Sequence, residues 1–205
     1  MRIRRLLLPV FLEILFIIAT LVWPRYALYA YLVFYAGVIA LFGKGFSFSI
    51  WMKQFAAGKR FIVPVLYTAV GMGAAHGVRM LLIRMLSAAS GGVKEIWTNG
   101  LFEILIYAVV MIVMMPVAEG LFFRRACTNL KQLPYLTSML GVLLCALAHG
   151  TGWLGILEGA VLAVPLAVSY VRSHNFYVPF TVHLIYCIYE YLPYVGYVIA
   201  RMWLS

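Results

Sequence analysis

A glutamate sits inside PVAEGLFFRRA, residues 116–126, directly after the apolar run LFEILIYAVVMIVMM. The chain has six acidic residues, all glutamates. A carboxylate at membrane depth is expensive unless something compensates it. Arg124, His149 and His183 stand in similarly apolar surroundings. One carboxylate and two imidazoles support two chemistries. In the first, Glu119 takes a proton from water while one imidazole helps hold that water. The second imidazole then donates a hydrogen bond to a developing oxyanion. In the other, Glu119, His149 and His183 form a zinc ligand set of the catalytic type.

Either chemistry requires the three groups to meet, although they lie on three different apolar segments. Measured from the basic loops at ~1.5 Å of helical rise per residue, Glu119 stands about 18 Å above Lys131 and His149 about 21 Å above Tyr135. His183 stands about 12 Å above Asn175 on the same measure. Helix tilt brings such depths into one buried layer. Arg124 follows Glu119 by five residues, more than one α-helical turn, so the expectation is an approximate ion pair or an interfacial anchor.

The segments that carry these residues are those of a membrane protein. Of 205 residues, 65% are hydrophobic and 11% charged, and the mean hydropathy is +1.00. These values exclude an ordinary soluble domain. The net charge of +10 falls mostly at span ends, which points to anionic lipid and the positive-inside rule rather than to nucleic acid. Cys127, Cys145 and Cys187 have neither paired nor metal-type spacing.

The expected fold is all-α, a polytopic bundle of about seven to eight transmembrane helices. Spans are read over roughly 6–23, 26–42, 61–86, 101–130, 135–149, 153–171 and from 176 onward, with Pro193 kinking the last or separating a short eighth segment. The N-terminal run is read as a retained first span rather than a signal peptide. Residues 43–60 read as a basic, aromatic interfacial segment, and 87–100 as a loop. Gly71, Gly73, Ala74, Ala75 and Gly77 form an expected packing face. So does the stretch Gly155–Gly159, which contains Glu158. Glu190 lies seven residues after His183 on the same face, as an auxiliary proton acceptor or an end residue. His76 and His174 are assigned to inter-helix hydrogen bonding or to the interface.

Three stretches carry a resemblance. PVAEGLFFRR, LLCALAHG and YVPFTVHLIYC together resemble the CPBP family (CAAX protease and bacteriocin-processing, also called Abi), which are intramembrane glutamic endopeptidases. The family's first motif is E-E-x-x-x-R, and this chain has Glu119, Gly120 and Arg124. The second is F-x-x-x-H, here Cys145 to His149. The third is H-x-x-x-N or H-x-x-x-D, here His183 to Cys187. The resemblance covers roughly 101–190. It implies a division into N-terminal helices with an interfacial segment over 1–100 and a protease core over 101–205.

The resemblance implies Glu119 as general base, His149 as its partner on the water, and His183 as oxyanion donor. Arg124, Cys187 and Glu190 would support them. It implies no cofactor, while the residue types still permit zinc. The implied substrate is a membrane-associated peptide or protein tail, CAAX-type or a bacteriocin or signal peptide. The implied setting is the lipid bilayer of a bacterial cytoplasmic membrane; the basic residues, Arg2, Arg4 and Arg5 with the 43–60, 124–134 and 172–175 segments, place the N-terminus inside. Gly120 in place of the second glutamate and Cys187 in place of the asparagine keep a second class of function open. That alternative is a catalytically degenerate adaptor that regulates a membrane-protein partner. A transporter would show inverted repeats and paired broken spans, and neither is visible.

Overall fold

The structure, a computed structural model, describes residues 4–86, 96, 98, 100–128 and 131–204. Most of the expected 87–100 loop lies outside these residues. The described chain folds into eight helices. Helix α1 (Arg4–Val22) gives way at Trp23–Pro24 to a short 3-10 turn, Pro24–Tyr26. Proline is favoured at a helical first turn because its missing N–H costs nothing there. Helix α2 (Ala27–Phe42) follows, then α3 (Phe48–Phe55). Ser47 caps α3 by accepting the Ile50 N–H at 3.4 Å. Helix α4 spans Lys59–Leu86.

Helix α5 runs over Leu101–Ala126 and changes winding twice, with π-helical turns at Val109–Met114 and Gly120–Ala126. It thus stops short of the residue 130 expected from sequence. Helix α6 (Pro134–His149) starts on a proline after left-handed Leu133. Helix α7 (Trp153–Ser173) ends on left-handed His174, and α8 covers Tyr177–Leu204. Pro193 lies inside α8, which continues through it. Of the two readings of Pro193, the separate eighth segment is therefore absent, since bundle neighbours and local adjustment can satisfy the carbonyl that a proline frees in a membrane helix.

Four helical stretches are long and apolar enough to cross a bilayer: Pro24–Gly45, Lys59–Leu86, Leu101–Ala126 and Trp153–Ser173. Val10–Val22 and Pro134–His149 are apolar but shorter. Large side chains such as Val33, Val70, Met85, Phe102 and Met139 project outward. In water this would be a large apolar patch; in a bilayer it faces hydrocarbon. Phe48, Ile50, Met52 and Phe55 on α3 are exposed beside Lys53, as the interfacial reading requires. The chain is a helical, integral membrane bundle.

Packing places α6 on α7, α7 on α4 and α8, and α5 between α2 and α8. The main core joins Phe16, Tyr31, Phe34 and Tyr35 to Val110, Met115, Phe122 and Cys145. Small residues set the closest approaches. A Cβ on Gly159 would lie 3.1 Å from Ala146 Cα, and one on Gly141 would run into the Phe123 carbonyl. The expected face on α4 is only partly used. A Cβ on Gly71 would touch Pro165 at 3.4 Å, whereas Gly73 and Gly77 face open space.

This difference predicts a contrast. Gly159→Val drives a branched side chain into α6 and should cost about 1–3 kcal/mol, the usual penalty for overpacking. Gly73→Ala meets no atom within 4 Å and should leave stability unchanged or slightly raised. Thermal unfolding of the purified variants in detergent measures both.

Candidate active site

Glu119 closes the short α-helical stretch Met115–Glu119 between the two π-turns of α5. It is 2% exposed. Its burial is matched by donors from other helices. Oε1 accepts the Tyr35 hydroxyl at 3.0 Å and lies 2.6 Å from His149 Nε2. Oε2 accepts the Cys145 thiol at 3.5 Å and stands 3.8 Å from His183 Nε2. The three residues singled out by depth and type do meet.

The histidine tautomers follow from their partners. A carboxylate only accepts, so the hydrogen between Glu119 and His149 is assigned to His149 Nε2. His149 Nδ1 then accepts from the Tyr31 hydroxyl, 3.4 Å away. His183 Nδ1 lies 3.2 Å from Arg124 Nη1. Guanidinium only donates, so His183 Nδ1 accepts and its Nε2 carries the hydrogen. That N–H belongs to the nitrogen nearest Glu119. At 3.8 Å the two atoms are too far apart for a hydrogen bond.

Of the two readings of Arg124, the structure removes the interfacial anchor and keeps the residue in its supporting place at the site. Arg124 is 4% exposed and does not anchor at the interface. The winding explains why. In the Gly120–Ala126 turn, hydrogen bonds close between residues five apart, as from the Cys127 N–H to the Phe122 carbonyl at 3.0 Å. Each π-turn therefore takes more residues than an α-turn, so a residue five positions on comes closer to the face it started from, which returns Arg124 to the side of Glu119. The next residue, Arg125, points outward and donates to the Gly45 carbonyl.

A cavity of about 70 Å³ opens between these groups, lined by Glu119, Arg124, Cys145, His149 and His183. One water needs roughly 10–15 Å³ on this measure, so several fit. Arg79, Glu158, Tyr186 and Glu190 line the same space. Arg79 donates from Nε to Glu158 Oε2 at 3.2 Å, and from Nη1 to Glu190 Oε1 at 2.6 Å and to the Tyr186 hydroxyl at 3.1 Å. Glu190 thus uses one oxygen, Oε1, in an ion pair with Arg79. Glu158 is likewise an ion-pair partner and not only part of a packing face. His76 bonds Tyr186 at 3.1 Å, while His174 is the exposed helix end; both match the plain reading.

The three departures from the motifs have different consequences. Cys145, in place of an aromatic, turns its thiol to Glu119. Cys187 is 0% exposed, belongs to the apolar core and is not among the cavity-lining residues. It was expected beside the site and instead packs behind it. At Gly120, a Cβ would lie 2.8 Å from Phe176 Cε2. The Phe176 ring occupies the space a second glutamate would need.

Sequence reasoning missed Tyr31, Tyr35 and Arg79. Tyr31 and Tyr35 are four residues apart on α2, hence on one face, and each is 1% exposed. Two tyrosines inside an apolar span were the available signal, because a buried phenol needs a partner. Arg79, in GVRMLL, carries a charge as costly in a span as that of Glu119.

Fold and site together define a membrane helical bundle around a buried acid–imidazole cavity. Residues 100–189 match the family model described as type II CAAX prenyl endopeptidase Rce1-like. The match is consistent with the CPBP family and supports a CAAX-type intramembrane protease. No curated protein and no solved structure matches the chain.

The Phe176 contact predicts the outcome of restoring the motif. Gly120→Glu alone should lower the yield and thermal stability of folded protein. Combining it with Phe176→Ala should recover most of the loss. Equal stability of the single variant and wild type would show that the ring does not occupy that space.

Proposed function

We propose that the chain is an intramembrane endopeptidase that hydrolyses a peptide bond with a water activated by Glu119. The carrying observation is the pair formed by Glu119 Oε2 and His183 Nε2, 3.8 Å apart beside a cavity with room for water. Glu119 takes a proton from that water as the water oxygen attacks the scissile carbonyl. His149 and Tyr35 hold the carboxylate in place. The Nε2–H of His183, its tautomer set by Arg124, donates to the oxyanion of the tetrahedral intermediate. Protonated Glu119 then gives its proton to the leaving amine as the C–N bond breaks. Water is consumed, the proton taken is returned, and the carboxylate is restored.

No metal step is needed. Glu119, Cys145 and His149 bring potential ligand atoms within 4.8 Å of one another. However, His149 and Glu119 are in direct contact at 2.6 Å, closer than the roughly 3.3 Å separating two ligands on a tetrahedral zinc with bonds of ~2.0–2.1 Å. The donor set favours an acid–imidazole pair over a zinc triad of Glu119, His149 and His183.

The substrate is a peptide or protein tail associated with the membrane, either a CAAX-type tail or a bacteriocin or signal peptide. The setting is a bacterial cytoplasmic membrane with the N-terminus inside, as the basic 43–60 and 124–134 segments favour. One observation favours the adaptor alternative. Cys187, at the position of the family's asparagine, is buried and does not line the cavity, so one oxyanion donor is missing.

Proteolysis of membrane-anchored peptides in proteoliposomes tests the proposal. Glu119→Gln should reduce hydrolysis by about 100–10,000-fold, as for loss of a general base. His183→Ala should cost about 100–1,000-fold, as for loss of an oxyanion donor. Cys187→Ala should change the rate little, since it does not touch the cavity. A chelator should have no effect; inactivation by chelator would install the zinc chemistry. Hydrolysis unaffected by Glu119→Gln would overturn Glu119 as the general base, and no hydrolysis by the wild type would favour the adaptor.

A further inference from the structure

We propose that Arg79, Glu158 and Glu190 form a substrate subsite that receives a positively charged side chain. The inference rests on the endopeptidase reading and names a substrate feature that it leaves open.

The three residues come from α4, α7 and α8 and line the same cavity as Glu119 and His183. Arg79 holds one oxygen of each glutamate, at 3.2 Å and 2.6 Å. One guanidinium thus faces two carboxylates, and with both ionised the cluster carries one surplus negative charge. His76 bonds the Tyr186 hydroxyl rather than either carboxylate. Tyr186, also on α8, already accepts from Arg79 at 3.1 Å, so a network whose only task was to tie the three helices together would need only one glutamate, Glu158. A second one within a membrane bundle is an added cost. The cost is met when a cation enters: each carboxylate has a second oxygen beyond the one that holds Arg79, and ammonium and guanidinium donate to such oxygens in charge-assisted bonds.

The spacing suits a peptide bound across both groups. Glu190 follows His183 by seven residues on α8, about 10 Å at ~1.5 Å per residue. An extended peptide covers about 10 Å in three residues. A lysine or arginine about three residues from the scissile bond would therefore reach the cluster. A free C-terminal carboxylate at the same place would add to the surplus negative charge. The charge count therefore favours an internal bond near a basic residue over a bond measured from a chain end.

The test uses the purified full-length protein in detergent and three matched peptides. One has lysine three residues from a fixed central bond and an amidated end. The second has norleucine there, and the third carries a free carboxylate at that position. Binding is measured by calorimetry, and hydrolysis is followed in parallel. The lysine peptide should bind about tenfold or more tightly than the norleucine peptide, as one charge-assisted contact allows. The preference should disappear in Glu190→Gln and in Glu158→Gln. Equal binding of all three peptides, or tighter binding of the free carboxylate, would overturn the subsite. A lysine preference without hydrolysis would leave the subsite standing and count against the endopeptidase. Hydrolysis that depends on Glu119 but ignores lysine would do the reverse.

Discussion

The arrangement depends on one constraint, the burial of the Glu119 carboxylate at 2% exposure. An uncompensated carboxylate among apolar helices is costly, and truncating one partner of a buried polar pair costs more than the pair contributes when whole. The bundle answers with donors from separate elements. Tyr35 comes from α2, Cys145 and His149 from α6, and His183 stands close by on α8. A group that draws three helices toward one point also fixes their relative depth. The same hydrogen bonds that make the charge tolerable hold it in one orientation, and a general base needs that orientation.

Helix winding is the second requirement. An α-helical α5 would turn Arg124 away from Glu119. The π-turn returns it, and Arg124 sets the tautomer of His183 at 3.2 Å. Winding, tautomer and N–H direction form one chain of cause. The Gly120 departure belongs to the same local structure. Glycine there admits the Phe176 ring, so this motif position is repacked, while Glu119, Arg124 and both histidines keep their places.

Much of this was legible in the sequence because polar residues in apolar runs are conspicuous. Glu119, His149 and His183 could be set at comparable depth by counting residues from the basic loops, and the helices largely match the apolar segments. The π-turns were not legible, since helical propensities do not distinguish i→i+4 from i→i+5 bonding; that is why the anchor reading of Arg124 stood beside the site reading. Tyr31 and Tyr35 escaped because tyrosine in a membrane protein is usually an interfacial residue. The Arg79 cluster joins residues 79 and 111 positions apart in the chain, and a single sequence does not reveal such pairings. Cys187 shows the converse limit. Its spacing from His183 was right for the site, yet its side chain packs into the core.

The claim that Glu119 is held by a partner from outside the matched family segment can be tested by a double-mutant cycle on unfolding free energy in detergent. The cycle combines Tyr35→Phe with Glu119→Ala. The hydroxyl–carboxylate bond predicts a coupling of at least about 1 kcal/mol, within the range found for residues in direct contact. Strict additivity of the two substitutions would contradict it, and would place the Tyr35 hydroxyl and the Glu119 carboxylate in separate environments.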